Sequence, residues 1–354
     1  MHVFDVWGSG HDRGRKIGQA FAPLIAKSLP TMPVDEGAAR KWRALRDAMR
    51  AYLTERFPDA VDEVRGIAEG AGIAFDAAFL KSVANSISPA AHAACTSIAF
   101  AASDAGPILG KTDDGMLPAK EATPEIAAQR TRERLDNLLV LTTRPAKGYA
   151  VLCVCPPGTV WAETGINEKG LCMGSSSGHP TMRGQDGYGI PQHVACRLVL
   201  THCATVAEAI DFFKSHRLAG KGINMSFADA QGHVAAIESV FTRVGVRQPN
   251  NAVTYAVNHY FAPEMQELMP QHDPAFITSN YFLNSVSRAV RLRATLQDHP
   301  RELTFDLMKQ TLSDHHNPGA VCQHVDNNDA HALTHFAAIL VAQRREMWVN
   351  EGPP

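Results

Sequence analysis

The spacing of apolar residues predicts helices along the first part of the chain. Between residues 38 and 57, apolar side chains recur every three or four positions with arginines between them, as in an amphipathic helix. A Pro-Asp pair at 58–59 interrupts this pattern, and a second helix is predicted to follow and to end at the turn 70–72. An earlier helix is predicted at about residues 14–29. The first 94 residues are therefore predicted to be mostly helical.

From residue 94 onward the pattern changes to short apolar runs bounded by glycine and proline turns, which predicts strands. These predicted strands cover residues 94–100, 108–115, 137–143, 150–155, 160–164, 171–175, 223–228, 233–239, 252–258, 320–324, 336–341 and 346–349. Further helices are predicted at 191–200, 205–214, 284–297 and 304–312, and Thr205 and Glu208 have the spacing of a capping box. This alternation predicts an α+β fold with two stacked sheets between helical layers, a four-layer αββα sandwich.

Composition and charge narrow the class of protein. The 354 residues are 45% hydrophobic and 20% charged, as in ordinary globular enzymes, and the formal net charge of −2 is spread over segments of mixed sign. This distribution argues against nucleic-acid binding and against a polybasic membrane contact. No apolar run approaches the roughly 18 residues that a membrane-spanning helix needs, and the first residues do not have the pattern of a secretory signal.

The seven cysteines are scattered along the chain at positions 95, 153, 155, 172, 196, 203 and 322. An odd, scattered set in a chain of this length favours reduced thiols over a disulfide framework, so we expect a cytoplasmic protein. One of these thiols is a candidate nucleophile, and the others are expected to be small core residues.

Cys95 is the candidate nucleophile because of the segment that follows it. The predicted strand at 94–100 turns near 104–107 and returns through 108–115, so that Asp113 and Asp114 lie on the partner strand. A cysteine opening a hairpin, with a carboxylate pair opposite, suits acyl transfer through a thiol. The simpler interpretation is a buried strand cysteine without a chemical role.

Metal binding is not expected from the sequence. Cys153 and Cys155 lie one residue apart on a predicted strand, so their side chains face opposite ways. The later histidines do not have the spacing of a zinc-protease helix, since the 331–335 run has no glutamate between its two histidines. The histidines concerned are His315, His316, His324, His331 and His335. A papain-like pairing of Cys95 with His259 is also not expected, because no papain-type pattern surrounds the cysteine.

Eight short motifs in order make the chain resemble the acyl-coenzyme A:6-aminopenicillanic acid acyltransferase-like family of N-terminal-nucleophile hydrolases, related to the choloylglycine and penicillin V hydrolases. The motifs are residues 14–19, 66–72, 95–97, 110–114, 166–171, 258–260, 287–288 with 291, and 312–315 with 322 and 324. The resemblance implies the αββα fold and a chain that cuts itself before Cys95. It divides the chain into a helical pro-segment, 1–94, and a catalytic domain, 95–354.

The resemblance also implies roles for individual residues. The catalytic set would be Cys95 as nucleophile, Asp114 holding the new α-amine, Asn258 donating to the oxyanion, and Arg288 pairing with Asp114 and lowering the pKa of the thiol. Asp113 is an alternative to Asp114 for holding the amine. The implied substrate-binding residues are Lys111, Thr112, Ser175 and His259.

The chain departs from the family pattern at three places. Ala94 stands where the family has glycine, Thr112 stands where it has asparagine, and residues 174–179 replace an asparagine-containing turn. Because the last segment often shapes the acyl pocket in the family, the substrate does not carry over.

The expected function is hydrolysis of a small N-acyl compound through a Cys95 thioester, without a cofactor. Transfer of the acyl group to an amine uses the same thioester and stays an alternative, with acyl-coenzyme A among its possible donors, as does an unprocessed, non-catalytic binding protein of the same fold. The expected partners are the substrate and the chain's own cleaved first segment, with no nucleic acid and no membrane. The oligomeric state is left open, with a homo-oligomer among the options.

Overall fold

The computed structural model describes residues 1–87, 94–178, 188–270, 273–298 and 300–354. The strands are β1 (His2–Gly8), β2 (Thr96–Phe100), β3 (Ile108–Met116), β4 (Leu139–Pro145), β5 (Val151–Cys155), β6 (Thr164–Asn167), β7 (Cys172–Ser177), β8 (Ile190–Pro191), β9 (Leu218–Ala228), β10 (Val234–Phe241), β11 (Arg243–Arg247), β12 (Val253–Ala256), β13 (Ala332–Val341) and β14 (Glu346–Glu351). The helices are α1 (Gly10–Lys27), α2 (Glu36–Arg56), α3 (Pro58–Ala71), α4 (Phe75–Ile87), α5 (Pro124–Asp136), α6 (Gln192–His202), α7 (Val206–Ser215), α8 (Pro263–Gln266), α9 (Pro274–Ile277), α10 (Asn280–Leu292) and α11 (Phe305–Leu312).

Two sheets lie face to face. The larger has nine strands, in the order β1-β4-β5-β6-β7-β9-β10-β11 with β8 beside β9, and the smaller has five, in the order β12-β2-β3-β13-β14. One apolar cluster fills the space between them, with Ala99 and Leu109 from the smaller sheet and Val154 and Ala228 from the larger. Ser97 and Ser226 also join the sheets through a hydrogen bond of 3.1 Å.

The outer face of each sheet is covered by helices. Alternate residues of β2, such as Ile98, pack with Leu292 of α10 and Met308 of α11. The outer face of the larger sheet packs against α1, α3, α4, α6 and α7 in the largest apolar cluster. The protein therefore has the predicted four-layer αββα arrangement, with β2 as an interior strand of the smaller sheet.

The segment before Cys95 shares its core with the segment after it. Ile17 and Ile67 belong to the same apolar cluster as Leu139 and Leu141 of β4. In addition, β1 pairs with β4 in parallel and forms the edge of the larger sheet. The two predicted segments are thus interleaved parts of one folded unit, which would hold them together after a cut at residue 94.

Glycines let α1 and α3 approach closely. A Cβ atom at Gly14 would lie 1.9 Å from the carbonyl oxygen of Glu63, and one at Gly66 would lie 2.1 Å from that of His11. A Cβ atom this close to a backbone oxygen would force the two helices apart, so only glycine fits at these positions. This contact gives a physical reason for the first two family-like motifs.

The structure differs from the sequence prediction in several elements. The residues predicted as strands at 160–164 and 320–324 are irregular apart from Thr164, while β1, β11, α4 and α5 were not predicted. Trp161 leaves the strand pattern because its indole Nε1 donates to Ser82 O at 2.6 Å, which ties this segment to α4. The capping box is confirmed, since Thr205 Oγ1 accepts a hydrogen bond from Glu208 N.

The described part of the chain contains no helix long and apolar enough to cross a bilayer. All seven cysteines are described, and each is a buried free thiol.

Candidate active site

Cys95 immediately precedes β2 and is buried beneath a cavity. Its Sγ lies 4.0 Å from Asp113 Oδ1 and 4.0 Å from the carbonyl oxygen of Asp114. The two acids are neighbours on β3, and Thr96 pairs with Thr112, so Cys95 stands opposite Asp113. Because side chains alternate along a strand, Asp113 shares a face with the thiol and Asp114 points to the other face.

The cavity above Cys95 has a volume of about 190 Å³. Both sheets and three helices, α4, α5 and α6, contribute to its lining. The described lining consists of Asn85, Cys95, Asp113, Asp114, Gly115, Arg134, Glu163, Ser175, Ser177, Gln192, His193, Lys221 and His335. Most of these side chains are charged or carry an amide or hydroxyl, so the cavity is polar. Residue 179, which belongs to the divergent 174–179 segment, lies outside the described residues.

Arg134 of α5 holds two carboxylates at the cavity wall. Its Nε donates to Asp113 Oδ2 and its Nη2 to Glu163 Oε1, both at 3.1 Å. Burial alone would raise the pKa of Asp113, but the positive charges of Arg134 and Lys111 lower it to about 2. Asp113 is therefore a carboxylate at any working pH, and this charge lies beside the thiol.

Asp114 is enclosed on the other face of β3. Its carboxylate accepts hydrogen bonds from Thr334 Oγ1 at 2.7 Å, Thr112 Oγ1 at 3.1 Å and Gln323 Nε2 at 3.0 Å. Burial raises the pKa of Asp114 to about 6, although the charge of Arg288 acts in the opposite direction. The backbone oxygen of Asp114 accepts from Ala94 N at 3.1 Å, so this residue holds the main chain just before Cys95.

Arg288 reaches the backbone at Cys95 from α10. Its Nη1 donates to Cys95 O at 2.7 Å and to Thr96 Oγ1 at 2.9 Å, and its Nη2 donates to Asn258 Oδ1 at 2.7 Å. The prediction that Arg288 pairs with Asp114 is wrong in its direct form, because no ion pair within 4.0 Å joins them in the described structure. The guanidinium instead fixes a carbonyl and an amide, which are the groups within its reach from α10.

Asn258 follows β12, beside the start of β2. Its Oδ1 is held by Arg288, while its Nδ2 donates to Ser177 O at 2.9 Å. Its backbone N–H donates to Ser285 Oγ at 2.9 Å. With the amide oxygen fixed on a cation, the Nδ2 group must face the side of the cavity, where Ser177 lies.

Lys111 has the largest charge effect on the thiol. It is completely buried, and its Nζ donates to Thr112 O at 2.9 Å. Burial raises the pKa of Cys95 to about 11, and the positive charge of Lys111 is the main influence in the opposite direction. Lys111 shares the inner face of β3 with Asp113. Arg288, which the resemblance expected to lower the pKa of the thiol, also interacts electrostatically with Cys95.

The other predicted substrate-binding residues have different surroundings. Ser175 lines the cavity, and its Oγ donates to Glu163 O at 2.8 Å. Thr112 is buried and donates to Asp114, so its side chain lies on the far face of β3. His259 lies apart from the described cavity lining, with its ring against Phe261 and its Nδ1 2.8 Å from Ser285 Oγ. Burial and then the charge of Arg288 lower the pKa of His259 to about 3.

Several residues of the site were not predicted, among them Gln323, Arg134 and Glu163. Gln323 Nε2 donates to Ala94 O and to Asp114 Oδ2, both at 3.0 Å. Gln323 lies between Cys322 and His324 of the last family-like motif, and this position was the only feature of the sequence that could have indicated a role in the site. Arg134 and Glu163 lie in segments without a recognisable motif, and only the fold brings them together.

The family model of acyl-coenzyme A:6-aminopenicillanic acid acyl-transferase matches residues 130–354. No curated protein sequence matches the chain.

Solved structures similar to the chain include three hydrolases. The N-acylethanolamine-hydrolyzing acid amidase ortholog of Caenorhabditis elegans has 15% identity and a TM-score of 0.45, covering 72% of this chain and 100% of its own. The penicillin V acylase of Agrobacterium tumefaciens has 14% identity and a TM-score of 0.42, covering 73% and 83%. A variant of the conjugated bile acid hydrolase of Clostridium perfringens has 12% identity and a TM-score of 0.41, covering 73% and 89%.

The four layers and the position of Cys95 beneath the cavity together define a structural class of protein. The αββα sandwich, with a cysteine at the start of an interior strand beneath a polar cavity, is the architecture expected of an N-terminal-nucleophile hydrolase. The chain belongs to the acyl-coenzyme A:6-aminopenicillanic acid acyl-transferase family.

Proposed function

We propose that this protein is a self-processing cysteine amidohydrolase that cleaves the amide of a small, polar N-acyl compound through a thioester on Cys95. One observation carries the proposal: the Cys95 thiol lines a cavity while Gln323 holds the carbonyl of the preceding residue at 3.0 Å. The nucleophile and the activated peptide bond before it are thus parts of one site.

Self-processing begins when Cys95 Sγ attacks the carbonyl carbon of Ala94. The bond between that carbon and the Cys95 nitrogen breaks, the nitrogen takes a proton, and an Ala94 thioester forms on sulfur. Water then hydrolyses the thioester and releases Ala94 as a carboxylate. The N–H of Gln323 would stabilise the negative charge on the Ala94 oxygen during both additions.

The freed α-amine then serves substrate turnover. Its ordinary pKa of about 7.7–8.0 suits a general base near neutral pH. The amine takes the thiol proton, Sγ attacks the substrate carbonyl, and the amide C–N bond breaks as the leaving amine takes that proton. Water hydrolyses the resulting thioester to a carboxylic acid. Asn258, oriented by Arg288, would donate to the oxyanion.

The lining of the cavity favours a polar acyl compound over a steroid or a long hydrocarbon. Arg134, Glu163, Lys221 and Gln192 lie in the described wall, and covering charged and amide groups with an apolar ligand costs desolvation free energy. A substrate carrying its own charged or amide groups would form hydrogen bonds with this wall. An N-acylated amino acid is of this kind.

Hydrolysis is preferred over transfer, because transfer needs a second site for an acceptor amine and no such site is built into the described lining. Acyl transfer to an amine remains the second candidate, favoured by the family's own description. We propose a cytoplasmic location, in keeping with the seven free thiols.

The experiment is the intact mass of the purified protein. We expect two associated fragments that meet at the Ala94–Cys95 bond, and a single chain in Cys95→Ala. The matched control is Cys203→Ala, which removes a buried thiol far from the cavity and should process normally. An uncut wild-type chain with an unreactive Cys95 would instead support a non-catalytic binding protein. A cut at the same bond in Cys95→Ala would disprove the mechanism.

A further inference from the structure

Two histidines and a cysteine meet in the loop region that carries Gln323. His324 Nε2 lies 3.1 Å from His315 Nδ1, and Cys322 Sγ lies 3.8 Å from the same His324 nitrogen. All three atoms lie within 4.8 Å of one another. Metal binding by these histidines was not expected from the sequence, since their spacing does not match that of a zinc-protease helix.

The distances among the three atoms fit one cation. A tetrahedral zinc ion with bonds of about 2.0 Å to nitrogen and 2.3 Å to sulfur separates two nitrogen ligands by about 3.3 Å and a nitrogen from a sulfur by about 3.5 Å. The observed 3.1 Å and 3.8 Å differ from these values by a few tenths of an ångström. Small side-chain adjustments would therefore form three bonds to a shared ion.

A hydrogen bond joins the two segments that carry these ligands. Asp314, next to His315, accepts it through its backbone oxygen from Cys322 N at 3.0 Å, and this bond closes the loop between the two segments. The Asp314 carboxylate is occupied by Arg291, whose Nη2 donates at 3.1 Å, and by His316, so it supports the loop rather than facing the cluster. Such preorganisation reduces the cost of ordering the ligands when an ion binds.

The cluster is open on one side. The side chain of His315 is exposed, whereas Cys322 is buried and His324 is half-buried. The oxygen of Pro354 lies 3.6 Å from Cys322 Sγ, so an oxygen ligand is near for a fourth position, which water could also take. An ion can enter from solvent and still bind a thiolate that is shielded from bulk water.

We propose that His315, Cys322 and His324 bind one divalent cation of the zinc class in tetrahedral geometry. Imidazole nitrogen and thiolate sulfur are the donors that zinc prefers, and they disfavour magnesium and calcium. The thiol loses its proton to solvent when the Sγ–metal bond forms. This site is separate from Cys95 and does not depend on the proposed hydrolysis.

The site also has a structural consequence for the cavity. Gln323 lies between two of the three ligands and reaches Ala94 O with its own side chain. A bound ion would fix the backbone on both sides of Gln323. The cation would then support the position of that amide without touching the reacting atoms.

The test uses Co²⁺ as a spectroscopic probe on the full chain carrying Cys95→Ala, after treatment with a chelator. We expect one Co²⁺ per chain, with a thiolate-to-cobalt charge-transfer absorption and the strong visible bands of tetrahedral cobalt. Cys322→Ser should lose the charge-transfer absorption. His315→Ala should weaken binding at least tenfold, and circular dichroism checks that this substitution of an exposed residue leaves the fold intact.

The matched control is His316→Ala, which removes the neighbouring exposed histidine and should bind Co²⁺ as the parent does. The proposal is overturned if the parent binds no stoichiometric Co²⁺. It is equally overturned if Cys322→Ser keeps the charge-transfer absorption, or if His316→Ala weakens binding as much as His315→Ala. A hydrogen bond between the two imidazoles would then account for the cluster. Since every variant carries Cys95→Ala, these outcomes are independent of self-processing.

Discussion

Gln323 donates a hydrogen bond to the carbonyl oxygen of Ala94 at 3.0 Å, and this oxygen belongs to the peptide bond that Cys95 would cut. The same Nε2 also donates to Asp114, which accepts two further hydrogen bonds from hydroxyl groups. The amide of Gln323 is therefore held in place by a buried carboxylate. In the proposed self-processing, the same amide would donate to the oxyanion that forms on this carbonyl.

Gln323→Met should slow self-processing by about 10²–10³, because methionine keeps the approximate length of the side chain and removes the N–H donor without placing a second carboxylate beside Asp114. The rate at which fragments appear is measured by mass spectrometry during expression and after purification, and circular dichroism checks the fold. Gln343→Met, on the exposed surface after β13, is the control and should process normally. Normal processing of Gln323→Met would remove this residue from the mechanism.

We expect Lys111 and Arg288 to differ in how strongly they affect the pKa of the Cys95 thiol. Lys111→Met should raise the pKa of the thiol further and slow its alkylation by iodoacetamide about tenfold at a fixed pH, because each pKa unit changes the thiolate fraction tenfold. Arg288→Met should leave the alkylation rate within about twofold, since its hydrogen bonds go to Cys95 O, Thr96 and Asn258. Alkylation is followed on the peptide containing Cys95. If Arg288→Met slows alkylation more than Lys111→Met does, Arg288 is the residue that mainly lowers the pKa of the thiol.

Asn258→Ala should reduce turnover by about 10²–10³ through kcat, since the lost N–H acts on the intermediate. Hydrolysis of chromogenic anilides of N-acyl amino acids by the cleaved protein measures this effect, and the melting temperature checks the fold. Asn250→Ala, an exposed asparagine just before β12, is the matched control. Full activity of Asn258→Ala would move the oxyanion site to backbone amides.

The sequence predicted the layers and the hairpin that begins after Cys95, because apolar periodicity and the spacing of a hairpin are local properties. The hairpin that joins Cys95 to Asp113 and Asp114 was predicted and is confirmed by the pairing of β2 with β3. The edge strand β1 was missed because it is largely exposed and its partner, β4, lies far along the chain. Local pattern contains no information about such a pairing.

The contacts of the predicted site residues depended on tertiary structure. The sequence could place Arg288 on a helix, but only the packing of α10 decides that its guanidinium meets Cys95 O and Asn258 rather than Asp114. His259 is a second case. The resemblance implied substrate contact, and the fold places its ring against Phe261, apart from the described cavity lining.

The buried charge of Asp113 should make the free energy of unfolding depend on pH in acid. Its pKa is lowered from 3.8 to about 2, so the group stabilises the folded state above the ordinary pKa, and this contribution is lost as the pH falls from about 4 to about 2. In a Cys95→Ala background, which keeps the chain intact, Asp113→Asn should be less stable than its parent at pH 7 by at most about 2 kcal/mol from this source. The difference should shrink as the pH falls towards 2, because the parent then loses the same charge. Urea unfolding at a series of pH values measures the difference, with Asp306→Asn, an exposed carboxylate, as the control. A difference that is independent of pH would show that the charge of Asp113 does not stabilise the fold.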